Sequence, residues 1–378
     1  MTDRNFRAIS LVAQQQHAAY SAAQMFLHLV VLCLVFAQPQ AQTQLGAQEF
    51  SRLHTEAQSG NRDAQLKLAR AYERGNGVQK DDQEALKWYR SAAKNGNPEA
   101  QENLGVIYLA GEIVKQDKQE AFTWFQKSAR QGNANAMYDL GTAYYNGDGI
   151  ENNDTLSFAW FTLAKEAGDE QAAGAIQRAK TELRAWKITQ SFKLIAEMYD
   201  KGVDLPENQK EASRWWLKAA DEGDHDAQSA IGIRLADGRG IPQDPEKARF
   251  FCTEAAKQGD SSGEYCLGYL HQHGLGVAVN ERDARTHYER ASVGGNRLAI
   301  KALARMEANG ECGRTYRPSA CLLYVTLAVA GDKEAMRDLV ALKSRMDAKE
   351  WKKVQMGLPI LHVEPAKLDA AMEKIKAQ

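Results

Sequence analysis

Proline is scarce in this sequence, 8 residues in 378, or about 2% where folded proteins average roughly 5%. That excludes extended proline-rich stalks and linkers and leaves room for many uninterrupted helices. No excess of either charge is present: 48 Lys plus Arg face 49 Asp plus Glu, a formal charge of -1. A nucleic-acid partner is therefore not expected, because the phosphate backbone draws on a basic surplus. Long apolar runs are missing too. The most apolar stretch, FLHLVVLCLVFA from Phe26 to Ala37, has 12 residues, whereas spanning hydrocarbon takes roughly 17 to 25. Its length suits the core of a secretory signal, with Val35 and Ala37 at the positions that precede cleavage. The residues before Cys33 are Val31 and Leu32, which argues against a lipid-modified cysteine. Export to the periplasm or medium is the expectation, the alternative being an uncleaved segment that anchors the chain facing the periplasm.

Glycine, by contrast, is present in a strict order. It recurs at 60, 96, 132, 168, 223, 259, 295 and 331, and six of the seven intervals are 36 residues. A small residue follows four positions later each time: Ala64, Ala100, Ala136, Ala172, Ala227, Gly263, Ala299 and Ala335. Between the glycines two apolar stripes at helical spacing flank a second glycine break, as in Leu68, Ala69 and Tyr72, then Gly75 and Gly77, then Ala85, Trp88, Tyr89 and Ala92. Each period is a helical hairpin. The first helix repeats Leu68, Leu104, Leu140, Ile195, Ile231, Leu267 and Leu303 at one position, and the second repeats Trp88, Trp124, Trp160 and Trp215. A hairpin this short cannot bury its own apolar face, so neighbours must stack into an all-α solenoid of about seven repeats. Gly96 and Gly132 suit left-handed helix ends. Gly105, Gly141, Gly232 and Gly268, inside the first helices, are expected to let the next backbone approach closely.

The pattern LGxxYxxGxGV, a short polar loop, then KAxxWYxKAAxxGxxxA, carried by LGVIYLAGEIV from Leu104, LGTAYYNGDGI from Leu140 and LGYLHQHGLGV from Leu267, resembles the SEL-1-like repeat, a relative of the tetratricopeptide repeat. The resemblance covers residues 64–335 with a half-repeat at about 49–63. It implies an adaptor or scaffold that binds other proteins, without chemistry of its own. Two alternatives stay open: a penicillin-binding or weak hydrolase activity of the kind suggested for helical cysteine-rich relatives, or a structural role in an envelope or exopolysaccharide complex. The expected organisation is a signal peptide or anchor (1–37), a polar linker (38–48), a half-repeat with three repeats and a capping helix (49–190), four repeats with a second cap (191–357), and a tail (358–378). The first cap is read from the 55-residue interval after Gly168, which adds 19 residues, 172–190, most of them good helix formers and without a turn signal.

Five cysteines occur, and loss of Cys33 with the signal leaves Cys252, Cys266, Cys312 and Cys321, an even number suited to an oxidising compartment. Cys252 and Cys266 lie seven residues either side of Gly259, where antiparallel helices set residues opposite each other, while Cys312 and Cys321 bracket a loop. Those are the two expected bridges; buried free thiols are the alternative. Enzyme motifs fare worse. SAAK from Ser91 matches the SxxK signature, yet neither KTG nor SDN occurs and these positions hold packing residues in every repeat. The Gly-x-Gly pairs, such as Gly147 and Gly149, follow helices rather than strands and so are turns, not phosphate loops. His271, His273 and His287 fall in one repeat, and two of them can face each other where other repeats carry Tyr and Trp; no metal or other cofactor is expected. The likeness to tetratricopeptide repeats implies that first helices line a concave groove for a protein or peptide. Candidate contacts there are Val106, Leu109, Tyr138, Thr142, Tyr145, Tyr265, Tyr269 and Gln272, tyrosine being a frequent interface anchor. Oligomeric state is not legible.

Overall fold

The computed structural model describes residues 45–311 and 315–376. The apolar segment Phe26–Ala37 and Cys312 lie outside the described residues. Among the latter there are helices and no strands, and they fall into two compact units, one ending at Ser91 and one beginning at Ala92.

Helix starts and stops follow from local chemistry. First helices run Arg62–Arg74, Pro98–Ala110, Ala134–Asn146, His225–Asp237, Ser261–His273 and Arg297–Asn309. Each begins after an Asn or Asp whose side chain accepts from exposed backbone N–H groups, as Asn133 does from Ala136 at 3.0 Å, a cap worth about 1 kcal/mol. Each ends on a left-handed glycine, such as Gly147 with φ 75°. Second helices, such as Lys118–Ala129, Asp154–Glu166 and Gln209–Asp221, start on the same kind of cap. The carbonyls left over where a second helix ends are met from the next hairpin: buried Gln101 donates Nε2 to Ala93 O at 3.0 Å, and Gln228 to Ala220 O at 3.4 Å. An unmet buried carbonyl would cost about 1–3 kcal/mol, so these glutamines bind hairpin to hairpin.

In the unit from Ala92 onward, one apolar core runs from Ala121 to Leu270 and includes Trp160 and Trp215, both at most 2% exposed. That core continues past residue 190, the expected end of the first sub-array. The inserted residues do form a helix, Gln171–Glu182, started by Asp169 as a first helix would be. Of it, Ala172, Ala175 and Ile176 are buried. The following helix, Ala185–Lys201, packs on Asp154–Glu166 and carries the array on. Ser191 Oγ donates to Thr155 O at 2.9 Å, and Phe192 stands 6.4 Å from Phe158 and 5.7 Å from Trp215 by ring centroids. At the C-terminal end, Leu339, Leu342 and Val354 share a core with Leu358, Leu368 and Met372. The expected tail thus belongs to the closing layer.

The glycines inside first helices do a different job from the one expected. A Cβ on Gly105 would come within 2.6 Å of the Phe125 ring, on Gly141 within 2.6 Å of Phe161, and on Gly268 within 2.6 Å of Tyr288. At each the first obstacle is an aromatic side chain of the same hairpin, joined at Gly268 by the Ala284 carbonyl at 3.1 Å. Closer backbone approach occurs at the turns, where Gly149 faces the Lys118 carbonyl and Gly240 the Gln209 carbonyl.

Candidate partner-binding surface

Val106 and Tyr145 are the exposed members of the candidate set, at 43% and 42%. They lie two and five residues after the buried Leu104 and Leu140, on the first helices of successive hairpins. Tyr145 is steadied by a hydrogen bond from its hydroxyl to Glu182 Oε2, 3.3 Å, on the inserted helix. Tyr138 is half-buried, its ring 5.3 Å from Phe161, and Thr142 donates to Tyr138 O at 3.1 Å. Leu109 and Thr142 meet around a cavity of about 30 Å³ with Asp139, Lys118 and Asp148, room for one water.

Asp139 escaped the sequence reading. At the position before the repeat leucine it replaces Asn103 and Cys266 of other hairpins, which is the signal that could have found it. Burial, then the Glu102 and Asp169 carboxylates, push its carboxyl well above the usual range. A raised folded-state value means that the native chain holds this proton at pH values where the unfolded chain has lost it. Stability therefore falls as pH rises through that interval. Asp139→Asn should raise the thermal midpoint by a few degrees at neutral pH, with the gain fading in acid. Melts of both proteins across pH check this, and an equal or lower midpoint for the variant at neutral pH would count against it.

In the sixth hairpin the structure gathers Tyr265, Tyr269 and Gln272. Tyr265 stacks 5.7 Å from Tyr288, and Tyr269 donates to Asp237 Oδ1 at 2.8 Å with its ring 4.4 Å from exposed His273. Burial and Asp237 push the Tyr269 hydroxyl up to about 12. Gln272 accepts from Tyr288 Oη at 2.8 Å and donates to Glu311 Oε2 at 3.0 Å, so it is committed within the protein. His271 and His287 stack at 5.5 Å, and His287 Nδ1 lies 2.6 Å from Glu264 Oε2. These are packing and pairing roles, as their substitution for repeat aromatics suggested.

Cys252 and Cys266 meet in the core with Cα atoms 5.7 Å apart, a separation typical of a bridged pair. Of the second expected pair only one end is described: Cys321 is buried, without a disulfide partner among the described residues, its sulfur 3.3 Å from Met346 Sδ. One further group has metal-ligand reach, His225, Asp226 and Asp260, whose ligand atoms lie within 4.8 Å of one another. Lys193 Nζ already sits 2.6 Å from Asp226 and 3.2 Å from Asp224, so an ammonium supplies the positive charge there.

A model of the Sel1 repeat matches residues 62–97, 98–133, 134–169, 194–224, 225–260 and 261–296. The hairpin after residue 296 keeps the fold outside those matches. Among solved structures, a protective antigen of uropathogenic Escherichia coli strains, described as displaying an SLR fold, is 29% identical over 81% of this chain and 69% of its own, with TM-score 0.41. A Sel1 repeat protein from Oxalobacter formigenes is 22% identical over 81% of this chain and 86% of its own, with TM-score 0.42. No curated protein matches.

Proposed function

The chain belongs to the Sel1 repeat family, whose members are generally protein-interaction scaffolds, and from this we infer that it is a non-catalytic adaptor holding a protein or peptide on the face of its first helices. The observation that carries the reading is the exposure of Val106 and Tyr145 on successive first helices, at 43% and 42%. The solenoid core does not use these side chains, and each offers apolar area at a place set by rigid helices. Half-buried Tyr138 and Leu109 continue the surface toward the core, and Tyr265 with Tyr269 form a second aromatic group in the sixth hairpin. The proposed setting is the periplasm or medium, or the periplasmic side of a membrane if the N-terminal segment is retained. That rests on the apolar segment Phe26–Ala37 and on a cysteine pair suited to an oxidising compartment.

A partner identified by capture from an envelope extract supplies the test. Val106→Ala with Tyr145→Ala should weaken its binding by about tenfold or more, while the change in folding free energy stays within about 0.5 kcal/mol. Undiminished affinity in that double variant would refute the assignment of this face.

A further inference from the structure

The helix Ala47–Gln58 and the first helix of the first hairpin, Arg62–Arg74, enclose an open cleft of about 500 Å³. Buried Leu53 and Ala71 line it, and four basic residues, Arg52, Lys67, Arg70 and Arg74, face two acids, Glu49 and Glu56. Glu56 is already engaged by Arg52 at 2.9 Å. Lys67 and Arg74 are exposed, and neither makes an ion pair among the described residues.

The other hairpins do not carry this set of charges. Lys67, Arg70 and Arg74 occupy positions that hold Asn103, Val106 and Ala110 in the second hairpin and Asp139, Thr142 and Asn146 in the third, and no other hairpin puts more than one Lys or Arg there. Spaced i, i+3 and i+7, the three lie on one helix face and span about 10 Å along the axis. One carboxylate or phosphate cannot reach all of them, whereas an extended acidic segment can. Residues 1–44 offer little counter-charge, with one carboxylate, Asp3, against Arg4 and Arg7.

We propose that this cleft binds an acidic peptide segment of a partner protein, with carboxylates ranged along Lys67, Arg70 and Arg74 and aliphatic stems against Leu53 and Ala71. The cleft draws on residues of the first unit alone, and its test involves neither Val106 nor Tyr145.

Fluorescent hexaglutamate titrated into the full chain at about 150 mM salt tests this, with pyrophosphate as competitor. Saturable binding is expected, weakened about tenfold or more by Lys67→Glu with Arg74→Glu. The same binding should survive Lys247→Glu with Lys257→Glu, a reversal of two exposed lysines in the other unit. Circular dichroism melts check that both variants fold. No saturable binding, or equal loss in the two double variants, would overturn the proposal. So would pyrophosphate binding as tightly as the peptide, which would make the cleft a small-anion site.

Discussion

Gly149→Ala should destabilise the protein by about 3 kcal/mol or more, and Gly132→Ala by about 1 kcal/mol. Both glycines have positive φ, 75° and 88°, so both substitutions carry the left-handed penalty of about 1–2 kcal/mol. They differ in surroundings. A Cβ on Gly132 meets nothing within 4 Å, whereas on Gly149 it would press on the carbonyl of Lys118, in the preceding hairpin. A backbone atom in a capped helix cannot swing aside as a side chain can, so the added methyl must push neighbouring hairpins away from each other, and overpacking of this kind costs about 1–3 kcal/mol more. Urea unfolding of the two variants side by side checks the difference. Equal losses would mean that hairpin spacing is not set by contact at this glycine.

The second large effect is expected at Cys252 and Cys266. In three hairpins a glycine of the first helix makes room for an aromatic ring, Phe125, Phe161 or Tyr288; in the fifth, the space beside Gly232 is filled by the sulfurs of Cys252 and Cys266. We propose that the two are bonded and that the bridge stands where the other hairpins place a ring. Closing the 13-residue segment between them should stabilise by about 3 kcal/mol through the unfolded chain. Alanine at both positions should cost at least that, since it also opens a cavity against Gly232. Cys252→Phe with Cys266→Ala should recover some of the loss. A non-reduced digest should yield the Cys252 and Cys266 peptides joined. Burial pushes the Cys321 thiol up to about 12, so it should be alkylated only after unfolding. Free alkylation of Cys252 and Cys266 in native exported protein would exclude the bridge.

The hairpin fold was legible because its signals are local and repeated: a capping Asn or Asp, a glycine at each helix end, and apolar stripes of fixed register. What the interior glycines accommodate was not. Phe161 lies 20 residues after Gly141 on another helix, and no periodicity says whether a small residue yields to a ring or to a backbone. The insertion is ambiguous for a related reason. Asp169 and the strong helix formers behind it are the signals of any first helix, and only packing reveals that Ala185–Lys201 takes that place on Asp154–Glu166. For the binding surface, register separated exposed Val106 and Tyr145 from the buried leucines. It missed that Gln272 is held by Tyr288 and Glu311, and that Asp139 sits beside Leu109, because those partners lie outside the helix that carries each residue.

The adaptor assignment is tested most directly by placing a photo-crosslinking amino acid at position 145, and in a second protein at position 293. Val293 is 91% exposed at the end of a second helix. Irradiation in cells that carry the partner should give a discrete protein adduct from position 145 and none from position 293. Adducts from both positions alike, or from 293 alone, would contradict a binding surface built on the first helices.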